Sequence, residues 1–319
     1  INEWFIYDTQ THRYWSVNLP DSDQEVVFSA LLSDGRLLFE SQKDYFDERN
    51  DSYQINSVWL YDINAQTAAR ITPVEGRTTS VQGEKVFPND LSSHYYIVDK
   101  NDVTIFYPDP NLSGFSQSPD GKYLAYTDDQ GLYVADSDFQ NSKLILPAAI
   151  GSDPSGIDSE GPKVPYWAGN DKIVYYWVGY EWLVGSGIIN RDGSNDFRPD
   201  FLKGRYLVST ENEHLFLVYS SPDSTPFLGI YNLKENIIED LSEEFGLNYV
   251  QSIIVAPGGR KILAVGAEQE DSTIQSTLIE LKKDYSGIKR KVKFSGSYFY
   301  SPAGTFSLFS ADSSRIMIQ

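Results

Sequence analysis

The sequence of 319 residues contains no cysteine, only three histidines and a single methionine. The absence of cysteine excludes disulfide bridges and thiolate metal sites. With so few histidines, we predict no metal site and no cofactor. No run approaches the roughly 20 consecutive apolar residues that a membrane-spanning helix requires, so we expect none in this segment.

Basic residues are also scarce, with 26 Lys and Arg against 45 Asp and Glu and a net charge of -19. An acidic surface repels the phosphate backbone, so we exclude nucleic acid as a partner and retain proteins, peptides and carbohydrates. The chain begins at Ile1 and its one methionine is Met317. This start predicts a chain processed by removal of a signal peptide, lipid anchor or membrane segment, or simply a trimmed boundary.

Aromatic residues are abundant, at 14% of the chain, with 22 Tyr and 17 Phe. Hydrophobic residues make up 40% and charged residues 22%, a composition typical of a folded protein. Aromatic and β-branched side chains suit the half-buried surface of a pleated sheet. The composition therefore favours an all-β fold.

A short apolar run behind a tight turn recurs along the chain. The seven runs begin at Arg36, His94, Lys122, Lys172, His214, Lys261 and Thr305. Their mean spacing of about 45 residues is the period of a four-stranded propeller blade. Further alternating strands follow each internal run, and no segment has helical periodicity. We therefore predict one domain over residues 1–319, a β-propeller of seven blades, with six as the alternative.

The two ends of the chain supply the parts of one more blade. Residues 3–20 match the third and fourth strands of the next repeat, and residues 297–311 match a first and second strand. Pairing the ends would close the ring and remove open sheet edges. Residues 315–319 could also form the third strand of this blade. The sequence does not decide whether that strand comes from this segment or from residues 3–20. The repeat at His94 is short, and we expect it to lack its outer strand.

Two segments resemble a known family. The segment FSQSPDGKYLAYTDDQGLYVAD at 115–136 is similar to the repeat of the Tol-system propeller family, and IINRDGSNDFR at 188–198 resembles a turn of that family. The resemblance implies WD-like repeats and a secreted, periplasmic or lipid-anchored protein. The related peptidase branch is not matched, because no G-x-S-x-G motif is present. We expect no counterpart of the family's extra N-terminal domain in these 319 residues, so the partners of that family are not carried over.

The long connections predict where a ligand binds. Residues 42–56, 147–164, 178–186 and 267–275 are among seven long segments that should all emerge at one face, and loops on a rigid scaffold carry function. Aromatic anchors beside carboxylates suit a protein or sugar ligand. The candidate binding residues are Tyr45, Phe46, Tyr166, Trp167, Tyr180, Glu181 and Trp182. For Tyr166, Trp167 and Trp177, packing between sheets is the competing interpretation.

No residue stands out as catalytic. The carboxylates Asp153, Asp158, Glu160, Glu181 and Asp223 could serve glycoside hydrolysis, but their spacing selects no pair. His94 and His214 are each predicted to open a second strand beside a tight turn, away from the binding face. We predict a monomeric, non-catalytic binding or scaffolding propeller. The alternatives are a carbohydrate-active enzyme, of glycoside hydrolase or lyase type, and an accessory propeller of a larger protein.

Overall fold

A computed structural model of the chain describes most of its length. The described residues are 4–19, 26–47, 50–76, 82–86, 94–100, 102–107, 113–148, 161–178, 183–209, 215–220, 227–245, 249–256, 260–267, 275–283, 287–295 and 315–318. They are folded almost entirely as β-strands, which confirms the all-β prediction. No helix in this part of the chain is long and apolar enough to cross a membrane.

The first ten strands and the last belong to one compact unit, unit 1, which comprises residues 1–108 and 307–319. They are β1 (Trp4–Asp8), β2 (Tyr14–Val17), β3 (Val26–Leu31), β4 (Arg36–Asp47), β5 (Asn50–Asp62), β6 (Thr67–Ile71), β7 (Val74–Glu75), β8 (Glu84–Val86), β9 (Tyr95–Asp99), β10 (Asp102–Phe106) and β26 (Arg315–Ile318). Their sheets have the orders β3-β4-β5-β6, β7-β10-β9-β8 and β2-β1-β26.

The remaining strands form unit 2, residues 109–306. They are β11 (Ser113–Gln117), β12 (Tyr123–Thr127), β13 (Gly131–Asp136), β14 (Lys143–Pro147), β15 (Gly161–Ala168), β16 (Lys172–Val178), β17 (Leu183–Asn190), β18 (Arg205–Ser209), β19 (Leu215–Ser220), β20 (Leu228–Asn232), β21 (Ile237–Asp240), β22 (Tyr249–Val255), β23 (Lys261–Ala267), β24 (Gln275–Leu281) and β25 (Ile288–Ser295). A 3-10 turn spans Asp200–Leu202, and a one-turn helix, α1, spans Ser242–Phe245.

Unit 2 contains four sheets, each built from consecutive antiparallel strands. Their orders are β11-β12-β13-β14, β15-β16-β17, β18-β19-β20-β21 and β22-β23-β24-β25. In the second of these, two isolated bridges to β17, Ile188 with Phe197 and Gly185 with Lys203, take the place of a fourth strand. Together with the two such sheets of unit 1, six sheets are each made from one continuous stretch of chain, as the repeat pattern predicted.

Apolar side chains fill the spaces between neighbouring sheets. Between the first two sheets of unit 1, the core includes Leu38, Leu60, Tyr96 and Val98, all buried. In unit 2, Val218 and Tyr231 pack with Val174, and Ile173 with Ala125. Alternate residues of a strand face opposite sides, so the strands of these sheets bury apolar residues on both faces.

The end sheet of unit 1 joins the two ends of the chain. β1 pairs antiparallel with β2 and with β26, and the pairs run from Phe5 and Ile318 to Asp8 and Arg315. The ends therefore share a sheet, but the segment next to β1 is 315–318. The predicted partner, residues 297–311, lies outside the described residues.

The sheet at His94 corrects a predicted register. Glu84, at the start of β8, accepts hydrogen bonds from the backbone N–H and hydroxyl of Ser33, at 2.8 and 2.7 Å. The guanidinium of Arg36 donates to the backbone oxygen of Lys100, just after β9. β9 therefore ends where β4 begins and runs opposite to it. His94 opens a third strand, whereas the sequence predicted a second, and β7 pairs parallel with β10 on its outer side.

The predicted position of the His94 strand was wrong because the sequence before β8 gives little indication of a turn. It contains Gly83 at φ +143°, and a Cβ there would lie 2.6 Å from the backbone oxygen of Val98. Glycine is required at this position, but no Pro-Asp-Gly sequence marks it. β8 itself has three residues, too few to show alternation.

Candidate functional site

A long β-hairpin distinguishes one end of unit 1. β4 has 12 residues and β5 has 13, whereas β12, β16, β19 and β23 have five to seven. Six backbone pairs, from Gln42–Ile55 to Asp47–Asn50, continue beyond the last pairing with β3, at Ser41. At about 3.3 Å per residue, this ribbon extends roughly 20 Å. We call it the arm, Gln42–Asp47 with Asn50–Ile55. It replaces the loop predicted over 42–56.

The end of unit 1 that carries the arm also holds a buried carboxylate and a buried histidine. Glu40 precedes the arm on β4, and His94 immediately precedes β9. The two residues are 4% and 8% exposed, and Glu40 Oε1 lies 3.4 Å from His94 Nε2. We call them the Glu40–His94 pair. It lies where the apolar core between the two sheets ends, because Leu38 and Tyr96, two residues away on the same strand faces, belong to that core.

Two tyrosines flank the Glu40–His94 pair. The ring of Tyr96 stands edge-on to that of His94 at 5.1 Å, and the Tyr107 ring lies 5.8 Å away on the solvent side. Tyr96 is fully buried and Tyr107 is 51% exposed. Burial, followed by the Glu40 carboxylate, raises the pKa of both hydroxyls, and Glu75 adds to the effect on the pKa of Tyr107. Both phenols therefore stay protonated and can donate hydrogen bonds at neutral pH.

The sequence did not predict the Glu40–His94 pair. The sequence predicts His94 at the end with the tight turns, because the run that follows His94 resembles the second strand of a blade. The correct register places it beside Glu40 at the opposite end. A sequence signal for the turn at Gly83, before β8, would have predicted the position of His94 beside Glu40. Of these four side chains only Tyr107 is exposed, and its hydroxyl can exchange hydrogen bonds with a ligand.

The predicted binding residues fall into three groups. Tyr45 and Phe46 lie on the arm, with backbone partners Ser52 and Asp51. Tyr166 and Trp167 are buried in β15. Tyr180, Glu181 and Trp182 lie outside the described residues, and so do the carboxylates Asp153, Asp158, Glu160 and Asp223.

Tyr166 and Trp167 have the environment of core residues. Tyr166 packs with Tyr176 and Phe216, at 9% exposure. Trp167 packs with Ile173 and Trp177 in a different core, and its indole N–H donates to the backbone oxygen of Ser116 at 2.9 Å. Since a ligand cannot reach side chains packed in this way, we do not carry these two residues into the proposed site.

The aspartates of the tight turns serve the turns themselves. Asp34 accepts the Arg36 backbone N–H at 3.0 Å, Asp120 accepts the Ser118 hydroxyl at 2.8 Å, and Asp192 accepts the Ser194 hydroxyl at 2.6 Å. Local bonds of this kind are the ordinary role of Asp in turns. Within the described parts of the chain, no three His, Asp or Glu side chains cluster closely enough to hold a metal ion.

Comparison with known proteins establishes the fold. No family model and no curated protein sequence matches the chain. Among solved structures, an Agrobacterium tumefaciens protein assigned to TolB matches with a TM-score of 0.51 and 12% identity, over 99% of this chain and 96% of its own. The fold is a TolB-type β-propeller.

Other propellers match to a similar degree. An oligogalacturonate lyase in complex with manganese has a TM-score of 0.50 at 14% identity, over 86% of this chain and 80% of its own. A Bacteroides fragilis protein assigned as a 6-phosphogluconolactonase has a TM-score of 0.51 at 12% identity, over 91% and 95%. At such identities the likeness shows the fold alone, since one fold hosts many functions.

Proposed function

We propose that this TolB-type propeller is a non-catalytic binding module whose ligand contacts the arm-bearing end of unit 1. The observation that carries the proposal is the arm: six backbone pairs beyond the sheet, a length that a blade does not need for its own packing. At the base of the arm, the exposed ring of Tyr107 supplies a contact, and it lies against the buried Glu40–His94 pair. Tyr180, Glu181 and Trp182 are proposed as a second contact region, on sequence grounds.

The setting we propose is extracytoplasmic. It rests on the resemblance of residues 115–136 to Tol-system repeats and on the TolB-type fold. A net charge of -19 favours ligands that are cationic or rich in hydroxyl groups, such as basic proteins, peptides and carbohydrates. We propose a monomer, since copies carrying this charge repel one another.

We further propose that residues 1–319 form one seven-bladed domain, closed by the sheet β2-β1-β26. Six sheets come from continuous stretches of chain, and this one takes strands from both ends. The pairing of β1 with β26 supports it as the closing blade. Closure would remove two sheet edges that invite aggregation.

The alternative is a carbohydrate-active enzyme, and one observation favours it. Glu40 and His94 are the kind of groups that act as general acid and base, and they lie together at the proposed binding end. Incubation with oligosaccharide and peptide substrates separates the two functions. A binder retains a ligand unchanged, whereas turnover abolished by Glu40→Gln, His94→Asn, Glu181→Gln or Asp153→Asn would establish the enzyme.

The second contact region has its own test. Replacing Tyr180 and Trp182 together with Ala is expected to weaken ligand binding by about 2 kcal/mol, the effect of removing aromatic anchors. The free energy of unfolding should change by less than about 0.5 kcal/mol. Titration calorimetry with a ligand retained in a glycan and peptide screen measures the first quantity, and urea unfolding the second. Tyr14→Ala, at a position 73% exposed in β2, is the control. Unchanged affinity in the double variant would remove Tyr180 and Trp182 from the site.

A further inference from the structure

The outer edge of β5 in the arm is a strand edge with no neighbour among the described residues. Asn50–Ile55 pairs with β4 on its inner side. β6 pairs with β5 only between Val58 and Asp62, so the sheet's own outer strand stops short of the arm. Within the described part of the chain, the backbone N–H and C=O groups on this side of Asn50–Ile55 face no other strand, which is the arrangement that accepts an added strand.

The path of the chain after β6 keeps this edge open. β6 ends at Ile71, and Val74–Glu75 then pairs with β10 in the next sheet. The Gly76 N–H fixes that path by donating to the Ile105 backbone oxygen at 2.8 Å. Val74–Gly76, the described residues that follow β6 most closely in a strand, therefore pair with the next sheet and not with the arm.

A β-bulge separates the arm from the body of the sheet. Ser41 pairs with Ser57 and Gln42 pairs with Ile55, which leaves Asn56 as an extra residue in β5. A bulge bends its strand and increases the local twist. The bulge therefore sets the arm at an angle to the sheet, so the arm edge is not a simple continuation of the sheet edge.

The negative charge of the arm indicates which kind of strand would pair with it. The paired segments of the arm contain Asp44, Asp47 and Asp51 against Lys43, and Glu75 lies beyond the end of β6. A second copy of this chain would bring the same excess of carboxylates to the edge. A basic segment would meet complementary charge, and complementary charge both speeds association and selects the partner.

Resting on the binding function proposed above, we propose that Asn50–Ile55 binds an extended, Lys- or Arg-rich segment of another polypeptide by strand addition. Backbone hydrogen bonds to β5 supply the pairing, and contacts to alternate side chains supply selectivity.

Three synthetic decapeptides test this proposal: alternating Lys and Thr, alternating Glu and Thr, and alternating Lys and Pro. Threonine favours extended strands, whereas proline lacks the N–H that a ladder needs. We expect the Lys–Thr peptide to bind at least ten times more tightly than either other peptide. It should also slow amide exchange at residues 50–57. Titration calorimetry and hydrogen–deuterium exchange give both results.

An arm-less variant is the matched control. Asn-Gly in place of residues 43–54 joins Gln42 to Ile55 through a favoured two-residue turn and keeps the hairpin base. Its affinity for the Lys–Thr peptide should fall at least tenfold, with an unchanged melting temperature.

Three results would each overturn strand addition. They are binding of the Lys–Pro peptide as tight as that of the Lys–Thr peptide, binding of the Lys–Thr peptide to the arm-less variant as tight as to the wild type, and no binding of the Lys–Thr peptide at millimolar concentration. A wild-type dimer that the arm-less variant loses would overturn it in favour of a second copy. None of these results contradicts the proposed binding function. That function fails only if the protein turns over a substrate, or if its ligand protects residues away from the arm-bearing end of unit 1.

Discussion

Deletion of residues 1–19 is expected to remove about 5–8 kcal/mol from the free energy of unfolding, which leaves little of a typical margin of about 5–15 kcal/mol. The deletion removes the buried side chains of Trp4, Ile6 and Tyr7, each contributing about 1.5–3 kcal/mol. It also leaves β26 without its partner β1. Urea unfolding and the melting temperature measure the loss.

A circular permutant is the control for this deletion. It joins Gln319 to Ile1 through a short linker and opens the chain between Lys234 and Glu235, in an exposed turn. All strands are then retained, and β26 and β1 form one hairpin, so we expect stability equal to or above that of the wild type. A truncated chain that melts at the wild-type temperature with the same cooperativity would show that the end sheet does not close the fold.

Trp167→Ala is expected to cost about 3–5 kcal/mol of stability, the usual effect of removing a large buried aromatic side chain. The indole is 7% exposed, packs with Ile173 and Trp177, and donates to the Ser116 backbone oxygen. Ligand affinity, measured below the melting temperature of the variant, should not change. Urea unfolding and titration calorimetry give the two quantities.

The control for Trp167→Ala is again Tyr14→Ala. This ring is 73% exposed, so its removal should change stability by less than about 0.5 kcal/mol. The opposite result for Trp167→Ala, with normal stability and lost ligand binding, would restore Trp167 as a ligand contact. It would also show that β15 packs less tightly than the structure indicates.

Repeats with strong turn signals were predictable. At SPDGK (118–122), for example, the turn and the alternation after it gave β12 and β13 nearly to the residue. Two blades were harder to predict from the sequence. The turn at Gly83 has no Pro-Asp-Gly sequence, and β8 has three residues, so His94–Lys100 was assigned to the wrong position in its blade. At the C-terminus, 305–309 and 315–319 are both short apolar runs, and pattern alone could not choose between them.

The candidate site was less predictable than the fold. The segment 42–56 contains six charged residues, a composition typical of a surface loop, yet the structure pairs Gln42–Asp47 with Asn50–Ile55 without a break in register. Charged side chains are tolerated there because a two-stranded ribbon beyond the sheet has little core to fill. The Glu40–His94 pair depends on two residues 54 positions apart meeting between sheets. No local pattern encodes such a contact, and here it also required the correct register of β9.

Hydrogen–deuterium exchange of the protein, with and without a ligand retained in the glycan and peptide screen, tests the central claim most directly. A ligand at the arm-bearing end of unit 1 should slow exchange in residues 40–57 and around His94 and Tyr107. The tight turns at Gly35 and Gly121 should exchange as before. Slowed exchange at Gly35 and Gly121, with the arm and His94 unchanged, would contradict the account.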